Sequence, residues 1–100
     1  MSIKSADMIR RDDGKKGALV AVDDKGTPMG EMVYVWVNKG KWIIDHTEVF
    51  PEYEGRGLGK QLFFHMIDVV REENIKVIPL CPFAAAMFQK TPEVRDVLAD

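Results

Sequence analysis

The sequence predicts an α/β domain: an antiparallel meander followed by β-α-β-α, in which the meander's last strand leads on and the sheet becomes mixed, with helices packed against it. Three observations carry this. The run Met29 to Val37 alternates, with Met32, Tyr34 and Trp36 on one face and Val33, Val35 and Val37 on the other. Turn signals, Asp23-Asp24-Lys25-Gly26 and Asn38-Lys39-Gly40, separate consecutive apolar runs with no room for a crossover helix. At Leu58 the apolar period changes from two to about 3.6, through Leu62, Met66, Val69 and Val70.

In order along the chain, Met8 to Arg11 reads as a short edge strand before the turn Asp12-Asp13-Gly14. Ala18 to Val22 is a second strand and Met29 to Val37 a third. Lys41 to Val49 is apolar on both faces, which suggests a central position. Leu58 to about Glu73 is an amphipathic helix that Asn74 can stop. Lys76 to Leu80 is a short strand, and Pro82 suits the first turn of a helix over Phe83 to Gln89. Pro92 to Leu98 is a last short helix, and Phe63, Phe64, Met66, Met87 and Phe88 are expected in the core.

One hundred residues suit a single domain over 1–100. A composition 46% hydrophobic and 30% charged argues against disorder, and the apolar runs are too short for a membrane span. Met1 to Asp7 has no apolar leader core. The lone Cys81 cannot form an internal disulfide, so a reducing cytoplasm is the expected setting. A net charge of −2 gives no basic field for nucleic acid, so a polyanionic ligand would be held by local groups.

The stretch Glu54-Gly55-Arg56-Gly57-Leu58-Gly59-Lys60 joins strand to helix. Its glycines allow conformations closed to other residues, and the helix start offers unpartnered N–H groups at the positive end of the dipole. That makes a phosphate site, to which Arg56 and Lys60 add cationic side chains. The plainer alternative is a loop with a helix cap. A Walker A loop is excluded because Gln61 follows Lys60 where Ser or Thr is required. The dinucleotide fingerprint is excluded because its third glycine would fall on Lys60.

His46 and Glu48 lie two apart on one strand and share a face beside the loop, while alternation turns Asp45 the other way. Two readings stand: a general base or relay for an attacking amine, or a strand-end His bonded to a neighbour with Glu48 solvated. Cys81, at the end of the last strand, is either a thiol at the ligand-binding end of the sheet or a small buried hydrophobe. His65 has no partner at ligand spacing, and no zinc-type cluster exists, so no metal is expected.

Taken together, Asp45-His46-Thr47-Glu48-Val49, Pro51, the glycine loop, Val77-Ile78-Pro79-Leu80-Cys81-Pro82-Phe83 and Pro92-Glu93 resemble the minimal single-domain GNAT N-acetyltransferase family, over about Met8 to Leu98. Its loop core is Gln/Arg-x-x-Gly-x-Gly/Ala, matched here by Gly57 and Gly59, with Glu54 in place of Gln or Arg. The resemblance implies a GNAT-like acyl-CoA N-acyltransferase fold and acetyl-CoA as cosubstrate, with transfer to a small amine or peptide acceptor. It implies that Thr47, Glu48 and Val49 line pantetheine, and that Glu54, Gly55, Arg56, Gly57, Leu58, Gly59 and Lys60 hold pyrophosphate. It places His46 and Cys81 beside the thioester. The Tyr that larger members carry on the helix after the last strand is absent, where Phe83, Met87 and Phe88 stand. A non-catalytic acyl-CoA-binding or regulatory module is the alternative, and a monomer or weak homodimer is expected.

Overall fold

The computed structural model describes residues 6–99; the leader reading for Met1 to Ser5 lies outside them. Five strands form one sheet in the order β1-β2-β3-β4-β5. Strands β1 (Asp7–Asp12), β2 (Lys16–Val22), β3 (Pro28–Asn38) and β4 (Lys41–Val49) make the antiparallel meander. A glycine turn leads into α1 (Leu58–Glu73), and β5 (Lys76–Pro79) then pairs parallel with β4. Helix α2 (Pro82–Lys90) and a 3-10 helix over Pro92–Val97 finish the chain. The last segment was expected as an ordinary short helix. It winds more tightly, and Leu98 then forms a bridge beside Val77.

Element ends differ from the sequence reading by one or two residues, because register extends strands past their apolar runs. Lys16 and Gly17, for example, pair with Val35 and Tyr34. Asn74 does stop α1: it adopts the left-handed conformation, φ 58° and ψ 48°, and its N–H returns to Arg71 and Val70.

Both helices contribute to one core with a single face of the sheet. Leu19, Met32, Tyr34, Trp42 and Ile44 point into it from the strands, and Leu62, Phe63, Met66 and Val70 from α1. Phe63 stacks edge-on against Phe88 of α2, with ring centres 5.0 Å apart. Phe64 departs from expectation: it is 42% exposed. Adjacent helical residues are about 100° apart, so Phe63 and Phe64 cannot both face the sheet. Among the described residues, no helix is long and apolar enough to cross a membrane.

Candidate functional site

The site is made where β4 and β5 stop being neighbours. They pair only from Lys41 with Lys76 to Ile44 with Pro79. There β5 ends, because Pro79 has no N–H and the N–H groups of both Leu80 and Cys81 donate to the Ile44 carbonyl, at 3.1 and 3.0 Å. The chain then turns into α2, whose first residue is Pro82. Strand β4 continues from Asp45 to Val49 beside β3 alone. Its other edge therefore carries alternate backbone groups with no strand paired to them, a template for an extended ligand.

At this fork β4 also carries a bulge. Tyr34 is opposite Ile44 and Val33 opposite His46, so Asp45 is an extra residue with no partner. The bulge resets the alternation. Trp42 and Ile44 face the helices, and beyond the bulge Thr47 and Val49, not His46, take that side. Asp45 was expected to turn away from His46. Instead its Oδ2 lies 3.3 Å from His46 Nδ1, because a bulge turns two successive side chains the same way.

The candidate residues thus fall on two sides of the fork. On the helix side Cys81, 3% exposed, donates its thiol hydrogen to Thr47 Oγ1 at 3.5 Å. On the outer side are His46, with its half-exposed ring, and Glu48, which stands opposite Glu31. His46 and Glu48 do share a face, and Cys81 lies on the other. His65 is half-buried on α1, and the described residues contain no group of three or more His, Cys, Asp or Glu suited to a metal.

The glycine turn lies beyond the end of β4. Gly55 (φ 82°) and Gly57 (φ 75°) are left-handed, and a Cβ built on either meets nothing within 4 Å. Gly57 is the N-cap of α1 and offers no side chain to satisfy the first turn. The N–H groups of Leu58, Gly59 and Lys60 have no intrahelical acceptor and point outward. Gly59 is different: a Cβ there would come 3.0 Å from the Phe83 ring, so this glycine lets α2 approach α1.

A hollow of about 380 Å³ lies over this turn, lined by Val49, Glu54, Gly55, Gly57, Leu58, Gly59, Lys60 and Phe83. Lys60 lines it and Arg56 does not. The Arg56 guanidinium sits over the Tyr53 ring, 5.4 Å from its centre, and faces a separate hollow beside Lys25 and Gln61. Phe83 could not be read as a lining residue from the sequence, because only the close approach of the two helices at Gly59 brings it there.

The mixed sheet with its two helices places the chain in the α/β class and matches N-acetyltransferase structures. The chain belongs to the GCN5-related N-acetyltransferase family, whose model matches residues 18–97. A candidate GCN5-like N-acetyltransferase from Staphylococcus aureus, solved by NMR, is 30% identical with a TM-score of 0.69, over 97% of this chain and 91% of that one. A GNAT-family N-acetyltransferase from Escherichia coli, solved in complex with CoA, is 25% identical with a TM-score of 0.63. That match covers 78% of this chain and 46% of the larger enzyme. The ribosomal-protein-alanine N-acetyltransferase from Brucella melitensis shares the fold at 22% identity, with a TM-score of 0.60 over 88% of this chain and 64% of that one. No protein of curated function matches the sequence.

Proposed function

We propose that the chain takes an acetyl group from acetyl-CoA and passes it to the amine of a small molecule or peptide. The observation that carries this reading is one continuous edge: the free side of β4 from Asp45 to Val49 leads to an open, glycine-walled hollow at the start of α1. Pantetheine is an extended amide chain and would add to that edge through backbone hydrogen bonds, passing Thr47 and Val49. Its pyrophosphate would then meet the N–H groups of Leu58, Gly59 and Lys60, with Lys60 supplying a cation. The left-handed Gly55 and Gly57 leave the space that phosphate oxygens would fill. Glu54 also lines the hollow, and its carboxylate would weaken this attraction.

The thioester would then lie at the fork, between Cys81 with Thr47 on one side and His46 on the other. Direct transfer needs the amine held against the carbonyl carbon and a base for its proton, a role His46 can fill from the outer face. On the helix side the Cys81 thiol can protonate the departing sulfur. A route through an acetyl-Cys81 intermediate predicts a protein one acetyl group heavier after acetyl-CoA alone, which intact-protein mass spectrometry would detect. We expect no adduct, and we expect Cys81→Ser to retain substantial turnover.

A second reading, a non-catalytic acyl-CoA-binding module, is favoured by one observation: α2 brings Phe83 to the hollow and carries no Tyr. Free-thiol release from acetyl-CoA, with and without a panel of amines, lysine peptides and polyamines, separates the two. Acceptor-dependent release supports transfer, and tight binding without release under any acceptor leaves only the module. The free thiol of Cys81 accords with a reducing, cytoplasmic setting.

A further inference from the structure

The bulge places a carboxylate beside the proposed base, where simple strand alternation would have put it on the opposite face. Asp45 is unpaired in the β3–β4 register, and its Oδ2 lies 3.3 Å from His46 Nδ1. We propose that Asp45 is a positioning residue that fixes the tautomer of His46 for acetyl transfer; this rests on the transfer reading above.

The Asp45 and His46 side chains are about half exposed, so packing does not hold either in place. Val33, opposite His46, offers no polar atom. Glu48 lies two residues along the same face and Glu31 stands across from it, while Arg11, Asp12, Asp13 and Lys16 line the hollow of about 430 Å³ that His46 borders. Among the described residues, Asp45 is the group within hydrogen-bond reach of the ring. A neutral imidazole carries its proton on one nitrogen, and the hydrogen bond made by that nitrogen decides which. A carboxylate oxygen facing Nδ1 favours the proton there and leaves the Nε2 lone pair free for the acceptor.

The step balances without a further reagent. The neutral amine nitrogen forms a bond to the acetyl carbon, and its proton passes to His46 Nε2. The carbon–sulfur bond breaks, and the sulfur leaves as thiolate and is protonated by solvent, or by Cys81, whose thiolate then takes a proton back from water. His46, on the open face, returns its proton to water. Asp45 touches neither substrate: it holds the ring in the form that can take the proton.

The test reads both nitrogen states and turnover. Long-range ¹⁵N correlation spectra of the full chain at mildly alkaline pH should show His46 as the Nδ1–H form. Asp45→Ala should move the ring toward Nε2–H and lower kcat about tenfold or more with the KM for acetyl-CoA unchanged, by analogy with the loss when the carboxylate that orients a metal-bound histidine is removed. Asp45→Glu keeps an acceptor-only carboxylate near Nδ1 and should restore part of both signals, whereas Asp45→Asn, whose amide N–H can donate to Nδ1, should behave like Asp45→Ala. Turnover is measured with whichever amine or lysine peptide supports CoA release by the wild-type protein. Release by wild type with an unchanged tautomer or an unchanged kcat in Asp45→Ala overturns the inference alone. No release with any acceptor removes the transfer reading and this inference with it.

Discussion

At the residue scale, three neighbouring glycines are present for different reasons. Gly55 and Gly57 adopt left-handed backbone with open space where a side chain would go, while Gly59 accommodates the ring of Phe83. The motif was legible because glycine at these spacings is itself the signal. The division of roles was not, because it depends on α2, more than twenty residues further on. Gly57→Val would strain the backbone and fill the proposed phosphate space, and should weaken acetyl-CoA binding at least tenfold, about 1.4 kcal/mol. Equal calorimetric affinity for wild type and a folded Gly57→Val protein would remove the cradle assignment. The two cations also separate. Lys60 lines the hollow and Arg56 lies over Tyr53, so Lys60→Ala should raise the Kd and flatten its salt dependence, and Arg56→Ala should do so far less. The reverse ranking would mean that the bound guanidinium leaves Tyr53 for the phosphates.

At the element scale, edge strand β1 is held by a polar cluster set among aromatic rings. Tyr34 stacks on Trp42 with ring centres 3.7 Å apart. Its hydroxyl donates to Asp12 and accepts from Arg10 Nε at 3.0 Å, while Arg10 also pairs with Glu73 near the end of α1. Edge strand β1 is thus tied to both β3 and α1. Gly17 is required beneath it, because a Cβ there would fall 2.3 Å from the Tyr34 hydroxyl. Burial, and then the hydrogen bond to Asp12, push the Tyr34 hydroxyl up from 10.0 to about 12, against the opposing effect of Arg10. Below pH 10 both folded and unfolded chains keep this proton, and the cluster contributes fully. Between pH 10 and 12 the unfolded chain loses the proton first, so stability should fall across that window. Denaturant melts of wild type and Tyr34→Phe should diverge below pH 10 and converge toward pH 12; a constant gap would show that the hydroxyl's titration is not linked to folding. The strands themselves were readable from alternation, but the cluster joins residues from four elements and the bulge at Asp45 leaves no compositional mark. That is why Asp45 was placed on the wrong face and Arg10 was read only as part of an edge strand.

At the scale of the whole molecule, both helices cover one side of the sheet, and the proposed ligand would lie along the junction of β4, α1 and α2. The order of elements was legible because each is short, local and punctuated by Gly, Pro or Asn. The split between β4 and β5 was not, since it follows from two N–H groups sharing the Ile44 carbonyl. Acetyl-CoA bound there would contact elements contributed by both halves of the chain, so binding should resist global unfolding and not merely quieten the loop. A ligand at a hundred times its Kd that ignores the unfolded chain contributes about 2.7 kcal/mol. For a domain of this size, each kcal/mol moves Tm by about 4–8 °C, so acetyl-CoA at that excess should raise Tm by roughly 10–20 °C. CoA should act similarly, since in the proposed mode the phosphates and pantetheine would provide most of the contacts, and Gly57→Val should lose most of the rise. The shift should appear whether the chain transfers acetyl or only binds it, which makes it a test of the site apart from the chemistry. A Tm that stays fixed as acetyl-CoA is raised into the millimolar range would mean that the fork and the glycine hollow are not joined into one binding surface.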